Sequence, residues 1–128
     1  MIKNYIDVSS ALRQSVSQTY SHLVTRSTGA AVRAYIERAL QADVEASGEH
    51  KESEVAIDFT HVGMMDFSCA DEIVAKLLQN NGNGPHQFVF SGLNEAHVEA
   101  IDAVLERLGM ALKAKETGTQ TYVAEAVH

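Results

Sequence analysis

The sequence predicts one α/β domain built on a mostly parallel or mixed sheet. Three observations carry that prediction. Short apolar runs too brief for helices alternate with longer stretches of helical spacing, turn residues mark the changes, and 128 residues suffice for one core without disulfides or a structural metal. Strands separated by helices need crossover connections, which make neighbouring strands parallel. Apolar residues make up 45% of the chain and charged residues 21%, a globular composition and not that of a disordered tail.

Each element has its own local reason. Ile2 to Val8 opens as a strand. SSALRQSVSQTYSHLVT then offers Leu12, Val16, Tyr20 and Leu23 at helical spacing, which predicts a helix to about Tyr20 and an extended link through HLVTR. Ser27 or Thr28 is placed to cap the next helix, whose apolar face is Val32, Tyr35, Ile36, Ala39 and Leu40. ADVEASGEHKESE, polar and carrying Gly48, reads as an exposed connection. EVAIDF, Glu54 to Phe59, is a strand covered on both faces and therefore central.

From Ser68 onward Ala70, Ile73, Val74, Leu77 and Leu78 share one helical face, and Ser68 with Asp71 has the form of a capping box. NNGNGP, Asn80 to Pro85, stops that helix, and HQFVFSG is the next buried strand. Asn94 caps a helix carrying Val98, Ile101, Val104, Leu105 and Leu108, with Gly109 where a left-handed residue is expected. After a polar turn at KETGTQ, TYVAEAV supplies a last strand whose less apolar composition suits an edge. No internal repeat or linker divides the chain.

The formal charge of −7 argues against direct nucleic-acid binding and against anionic membrane surfaces, since no Lys/Arg cluster is present to neutralise phosphates. No apolar run reaches the length of a membrane span and the N-terminus lacks the pattern of a secretory signal, so a cytoplasmic location is expected. The single cysteine agrees with a reducing compartment.

The chemistry concentrates where the central strand turns into a helix, through THVGMMD and then Phe67, Ser68 and Cys69. In α/β sheets the turn after a strand is where ligands usually bind. Ser68 at a helix start reads as a cap, or more rarely as a phosphorylation site, although Asp66 and Asp71 would face the phosphate. Cys69 in a first helical turn with His61 nearby sketches a nucleophile and base; packing is the simpler role, because the two aspartates oppose a thiolate. The six histidines show no ligand spacing, so no metal and no other cofactor is expected. Asp58 ends a buried strand and needs loop amides or a base, for which Arg26 is the candidate. TRSTG, Thr25 to Gly29, combines Arg26, Thr28 and a glycine at a helix start, weakly suggesting phosphate binding without the spacing of a Walker loop.

Ile-Asp-Phe at a strand end, then His-Val-Gly-Met-Met-Asp-Phe-Ser-Cys-Ala-Asp-Glu and an apolar helix, resembles the core of STAS domains, the sulfate-transporter and anti-sigma-factor-antagonist family. The match covers Val55 to Leu78, and Thr25 to Gly29 is similar to the Ser-Arg or Thr-Arg turn of the STAS-like group. The resemblance implies a four- or five-stranded mixed sheet with helices mainly on one face, with residues 1–24 as an N-terminal helical addition to a core of 25–128. It also implies a non-enzymatic module that docks a protein partner, an anti-sigma kinase or other regulator. In the antagonists of that family a Ser or Thr after the aspartate is phosphorylated; here Phe67 stands there, Ser68 follows, and Cys69 replaces a glycine.

On this reading the partner contacts Met64, Met65, Asp66, Phe67, Ser68 and Asp71, with the two methionines and Phe67 as apolar contacts that could equally fold inward. The alternative is a small-ligand or nucleotide sensor holding an anion at the helix starts near Thr28 and Ser68, assisted by Arg26. A Cys69-based enzyme is the remote third. The N-terminal segment could pack on the open sheet face or make a homodimer.

Overall fold

The computed structural model describes residues 2–15, 22–23, 25–47, 53–81, 86–114 and 121–126. In chain order these form β1 (Ile2–Asp7), α1 (Val8–Ser15), α2 (Arg26–Ser47), β2 (Ser53–Asp58) and α3 (Phe67–Ala70). A π-helical turn (Asp71–Ala75) joins α3 to α4 (Lys76–Asn81), and β3 (His86–Ser91), α5 (Glu95–Glu106), β4 (Met110–Ala114) and β5 (Thr121–Ala126) complete the order.

The strands make one five-stranded mixed sheet in the order β1-β2-β3-β5-β4. β1, β2 and β3 run parallel, joined by helical crossovers, and β5 is antiparallel to both β3 and β4. The α/β expectation therefore holds at the level of a mixed sheet with helices. β5 is not an edge: it lies inside, between β3 and β4, and the edge on that side is β4, which the sequence did not announce. Met-Ala-Leu-Lys-Ala contains good helix formers and no β-branched residue, so pairing with β5 and not local preference makes it a strand. Residues 1–24, set apart above as an addition, supply the β1 edge strand and bury Val8, Ala11 and Leu12 in the main core.

Side chains alternate across a strand. Val55, Ile57 and Phe59 from β2 and its end, with Phe88 and Phe90 from β3, join one core cluster with Val32, Ile36 and Leu40 of α2 and Ile101, Val104 and Leu105 of α5. Ala56, Asp58 and Val89 are buried too, so β2 is covered on both sides as its apolar run implies. Fully burying each large apolar side chain contributes about 1.5–3 kcal/mol, and this cluster is what sets the helices against the sheet.

Three helix boundaries differ from expectation. α2 starts at Arg26 under Thr25, whose Oγ1 accepts from Thr28 N at 3.2 Å, so neither Ser27 nor Thr28 is the cap. It continues to Ser47, through part of the segment read as an exposed connection, because Ala-Asp-Val-Glu-Ala contains no breaker. The next helix begins at Phe67 with Asp66 as its cap, two residues before the predicted Ser68. Asn94, by contrast, caps α5 as expected, and Gly109 takes a φ of 69°. The predicted helix end near Tyr20, Gly82 to Pro85 and KETGTQ lie outside the described residues.

Candidate functional site: the strand-to-helix corner

The chain from Phe59 to Asp66 crosses from the end of β2 to α3 and is held at several points. Met64 O accepts from Leu23 N at 2.8 Å, and Leu23 O accepts from Asp66 N at 2.9 Å. This short parallel clasp between Leu23 and Met65 ties the link before α2 to the corner. His97 supports it from α5: its Nδ1 accepts from Asn94 N, which leaves Nε2 to donate to Gly63 O at 2.7 Å. Each bond satisfies a backbone group that the turn would otherwise leave without a partner.

Asp66 organises the helix start. Its Oδ1 accepts from Cys69 N at 2.9 Å and from the Ser68 hydroxyl at 2.8 Å. Burial pushes this carboxyl up, but the Cys69 amide and Ser68 hydroxyl outweigh it and hold it below its ordinary range. The predicted box of Ser68 with Asp71 is therefore absent. Ser68 serves the acid, and Asp71 instead accepts from Arg26 Nη1 at 2.8 Å.

Cys69 is fully buried, and its Sγ–H donates to Thr25 O at 2.9 Å. Desolvation, reinforced by the Asp66 charge, pushes the thiol up to about 12. A buried thiol held on a carbonyl beside the Asp66 carboxylate opposes the nucleophile reading of Cys69. The thiol sits where α2 and α3 touch: a Cβ on Gly29 would lie 3.0 Å from Cys69 Cα and 3.0 Å from Glu72 Cβ. The glycine of TRSTG is there for close packing.

Arg26 does not meet Asp58. Its Nη1 also donates to Glu72 Oε2 at 2.8 Å, and Glu72, 3% exposed, further receives Lys76 Nζ at 2.8 Å and Arg33 Nη2 at 3.4 Å. Burial pushes the Glu72 carboxyl up, yet Lys76, Arg26 and Arg33 bring it down to about 2. The π turn makes this possible. With i→i+5 bonding each residue turns the chain less than in an α-helix, and Glu72, Ile73, Val74 and Ala75 are all buried in succession. Glu72, Arg33 and Lys76 were not singled out by sequence; the i,i+4 spacings Glu72–Lys76 and Arg33–Glu37 are the signals that could have found them.

Asp58 faces a different set. Its Oδ2 accepts from the Tyr5 hydroxyl, and its Oδ1 from Thr60 Oγ1 at 2.7 Å and Ser91 Oγ at 3.0 Å. Although desolvation raises this carboxyl, the hydroxyls together with the Thr60 amide leave it below its ordinary value. The acid thus locks β1, β2 and β3 together at their carboxyl ends.

Met65 is buried at 6% exposure and belongs to the core, which corrects its assignment as a contact. Its neighbour Met64 is 64% exposed and Phe67 is 40% exposed. The guanidinium of Arg107, just beyond α5, lies over the Phe67 ring at 5.5 Å from its centroid. Thr28 is buried, with its amide and hydroxyl both bonded to Thr25 Oγ1. The helix starts near Thr28 and Ser68 are therefore capped from within, and Arg26 is engaged by two carboxylates, an arrangement that opposes the anion-site reading. Among the described residues no helix is long and apolar enough to cross a membrane.

The fold and corner define an α/β protein with a mixed sheet and a rigid, internally bonded turn that presents apolar side chains. No family model, curated protein or solved structure matches the chain.

Proposed function

We propose that the chain is a protein-interaction module of the kind its resemblance to STAS domains implies, read by its partner at the strand-to-helix corner. The observation that carries this reading is the exposure of Met64 and of Phe67, the latter under the Arg107 guanidinium, on a backbone fixed by the Leu23 clasp, the Asp66 cap and the His97 bond. Met, aromatic residues and Arg are enriched at interfaces, and a rigid platform lowers the entropy lost on docking. Asp66, Ser68 and Asp71 build the corner and do not head the contact. A phosphate on Ser68 would displace the hydroxyl from Asp66 and set two negative charges together, so modification there would undo the cap and release the partner.

Affinity purification of the wild-type chain and of Met64→Asp and Phe67→Asp variants from the source cell, compared by quantitative mass spectrometry, tests this. A partner recovered with the wild type and lost with both variants, while their circular dichroism is unchanged, supports the corner. Retention of every partner by both folded variants would overturn it.

A further inference from the structure

The outer edge of the sheet carries a groove away from the corner. Among the described residues no further strand lies beyond β4 on its outer side, and α5 leads into β4 through Gly109. Between them is an open cavity of about 630 Å³, lined by Glu99, Asp102 and Glu106 on the helix and by Gly109, Met110 and Ala111 at the start of β4. The three carboxylates recur at helical spacing on one exposed stripe, and no Lys or Arg is among the lining residues.

One bond shows how the strand is turned. Leu112 N donates to Asp102 Oδ1 at 3.0 Å, so the Leu112 peptide faces away from β5 and towards the helix side. In an antiparallel strand, peptide groups of alternate residues point to the same side, which places those of Met110 and Ala114 on the outer edge as well. Asp102 occupies the position that the carbonyl of an added strand would take. Its bond is exposed to solvent and open to replacement.

We propose that this edge accepts an extended segment of a partner protein bearing Lys or Arg at alternate positions, which pairs with β4 as a sixth strand and sets its cations against Glu99, Asp102 and Glu106. The charge selects this occupant over a second copy of the chain. Joining two β4 edges would bring two identical sets of carboxylates together, and like-charge juxtaposition is unfavourable at an interface. The five residues of β4 span about 17 Å, so a segment of about five to seven residues covers the edge.

The test is a titration of the isotope-labelled full chain, followed by amide NMR, with a short synthetic peptide alternating lysine with threonine or valine. The expected result is movement of the Met110, Leu112 and Ala114 amides, with an affinity that falls about tenfold when Glu99→Gln, Asp102→Asn and Glu106→Gln are combined. Because Asp102→Asn keeps an acceptor for Leu112, the strand edge is preserved; the double variant Glu99→Gln/Glu106→Gln, which leaves Asp102 in place, should give part of the same loss. A matching peptide with proline in place of threonine and valine loses every second backbone donor and has a φ fixed away from that of an antiparallel strand, and should bind at least about tenfold more weakly. Three results would each overturn the proposal: no movement of these amides, equal binding of the proline peptide, or equal affinity of the neutralised variants.

Discussion

Asp58 and Glu72 are acids buried to a similar extent, 4% and 3% exposed, in two parts of one small domain. Asp58 is satisfied by hydroxyls from Tyr5, Thr60 and Ser91, uncharged donors drawn from β1, the turn after β2, and β3. Glu72 is satisfied by the cations Arg26, Arg33 and Lys76, drawn from α2 and α4. Both carboxyls end up below their ordinary values, so the same outcome is reached by short-range dipoles in one place and by net charge in the other. The hydroxyl cluster needs close geometry between strands in register. The ionic cluster tolerates longer side chains and remains partly open to water, with the Arg26 side chain 51% and Lys76 40% exposed.

The largest effect should come from crowding the hydroxyl cluster. Gly92 has a φ of 69°, and a Cβ there would lie 2.3 Å from Thr60 Oγ1 and 2.5 Å from Thr60 N. Gly92→Ala should cost about 3 kcal/mol in denaturant unfolding, from strain in a left-handed residue plus overpacking. Gly109→Ala has the same φ but open space, and should cost about 1 kcal/mol. Equal losses at the two glycines would mean that the Asp58 cluster does not depend on close fit.

Next in size, Glu72→Gln should cost about 2 kcal/mol, the figure for a broken buried ion pair reduced because two of its cations are half exposed. That cost should shrink as salt is raised, whereas the cost of Asp58→Asn should not, because neutral hydroxyls are not screened. The same salt dependence for both variants would erase the distinction between the two acids. Tyr5→Phe should cost about 1 kcal/mol, the net worth of one hydrogen bond.

The mildest probe is pH. Glu72 lies at about 2 against an ordinary 4.5, so its contribution is complete above about 4.5 and is lost as pH falls towards about 2; Asp58 adds to that acid limb. Tyr5 runs the other way. Its hydroxyl, bonded to Asp58, is raised to about 12 from 10.0, so the stability it lends is present below about 10 and is lost as pH rises through about 12. Stability measured from neutral to strongly alkaline pH should show this loss in the wild type and lack it in Tyr5→Phe. An unchanged alkaline limb would remove Tyr5 from the cluster.

The ionic cluster is the more legible of the two, through its i,i+4 spacings. Arg26 is only the basic candidate for Asp58 beside loop amides, and the Thr60 amide does bond that acid; nothing in the local pattern shows that Arg26 reaches the π turn instead. Hydroxyls from three separate segments carry no sequence signal of converging. The alternating apolar runs made β1, β2 and β3 readable, and Asn94 with Gly109 bounded α5, because those signals are local. The caps of α2 and α3 lie two or three residues before the predicted positions because Thr25, Ser27 and Thr28, like Asp66 and Ser68, all qualify chemically. The Leu23 clasp decides between them from a distance. Met64 and Met65 are identical in type, and only alternation at the clasp sends one out and the other in.

The clasp between Leu23 and the corner also bears on what a minimal fragment could reproduce. A synthetic peptide running from Val55 to Leu78 would contain Met64 and Phe67 yet lack Leu23, Thr25, Gly63's support from His97, and the Arg107 cation. The corner is a mosaic finished by distant parts of the chain. A binder selected against such a peptide would see another shape, while one selected against the intact domain would report, by its grip alone, whether the chain had folded.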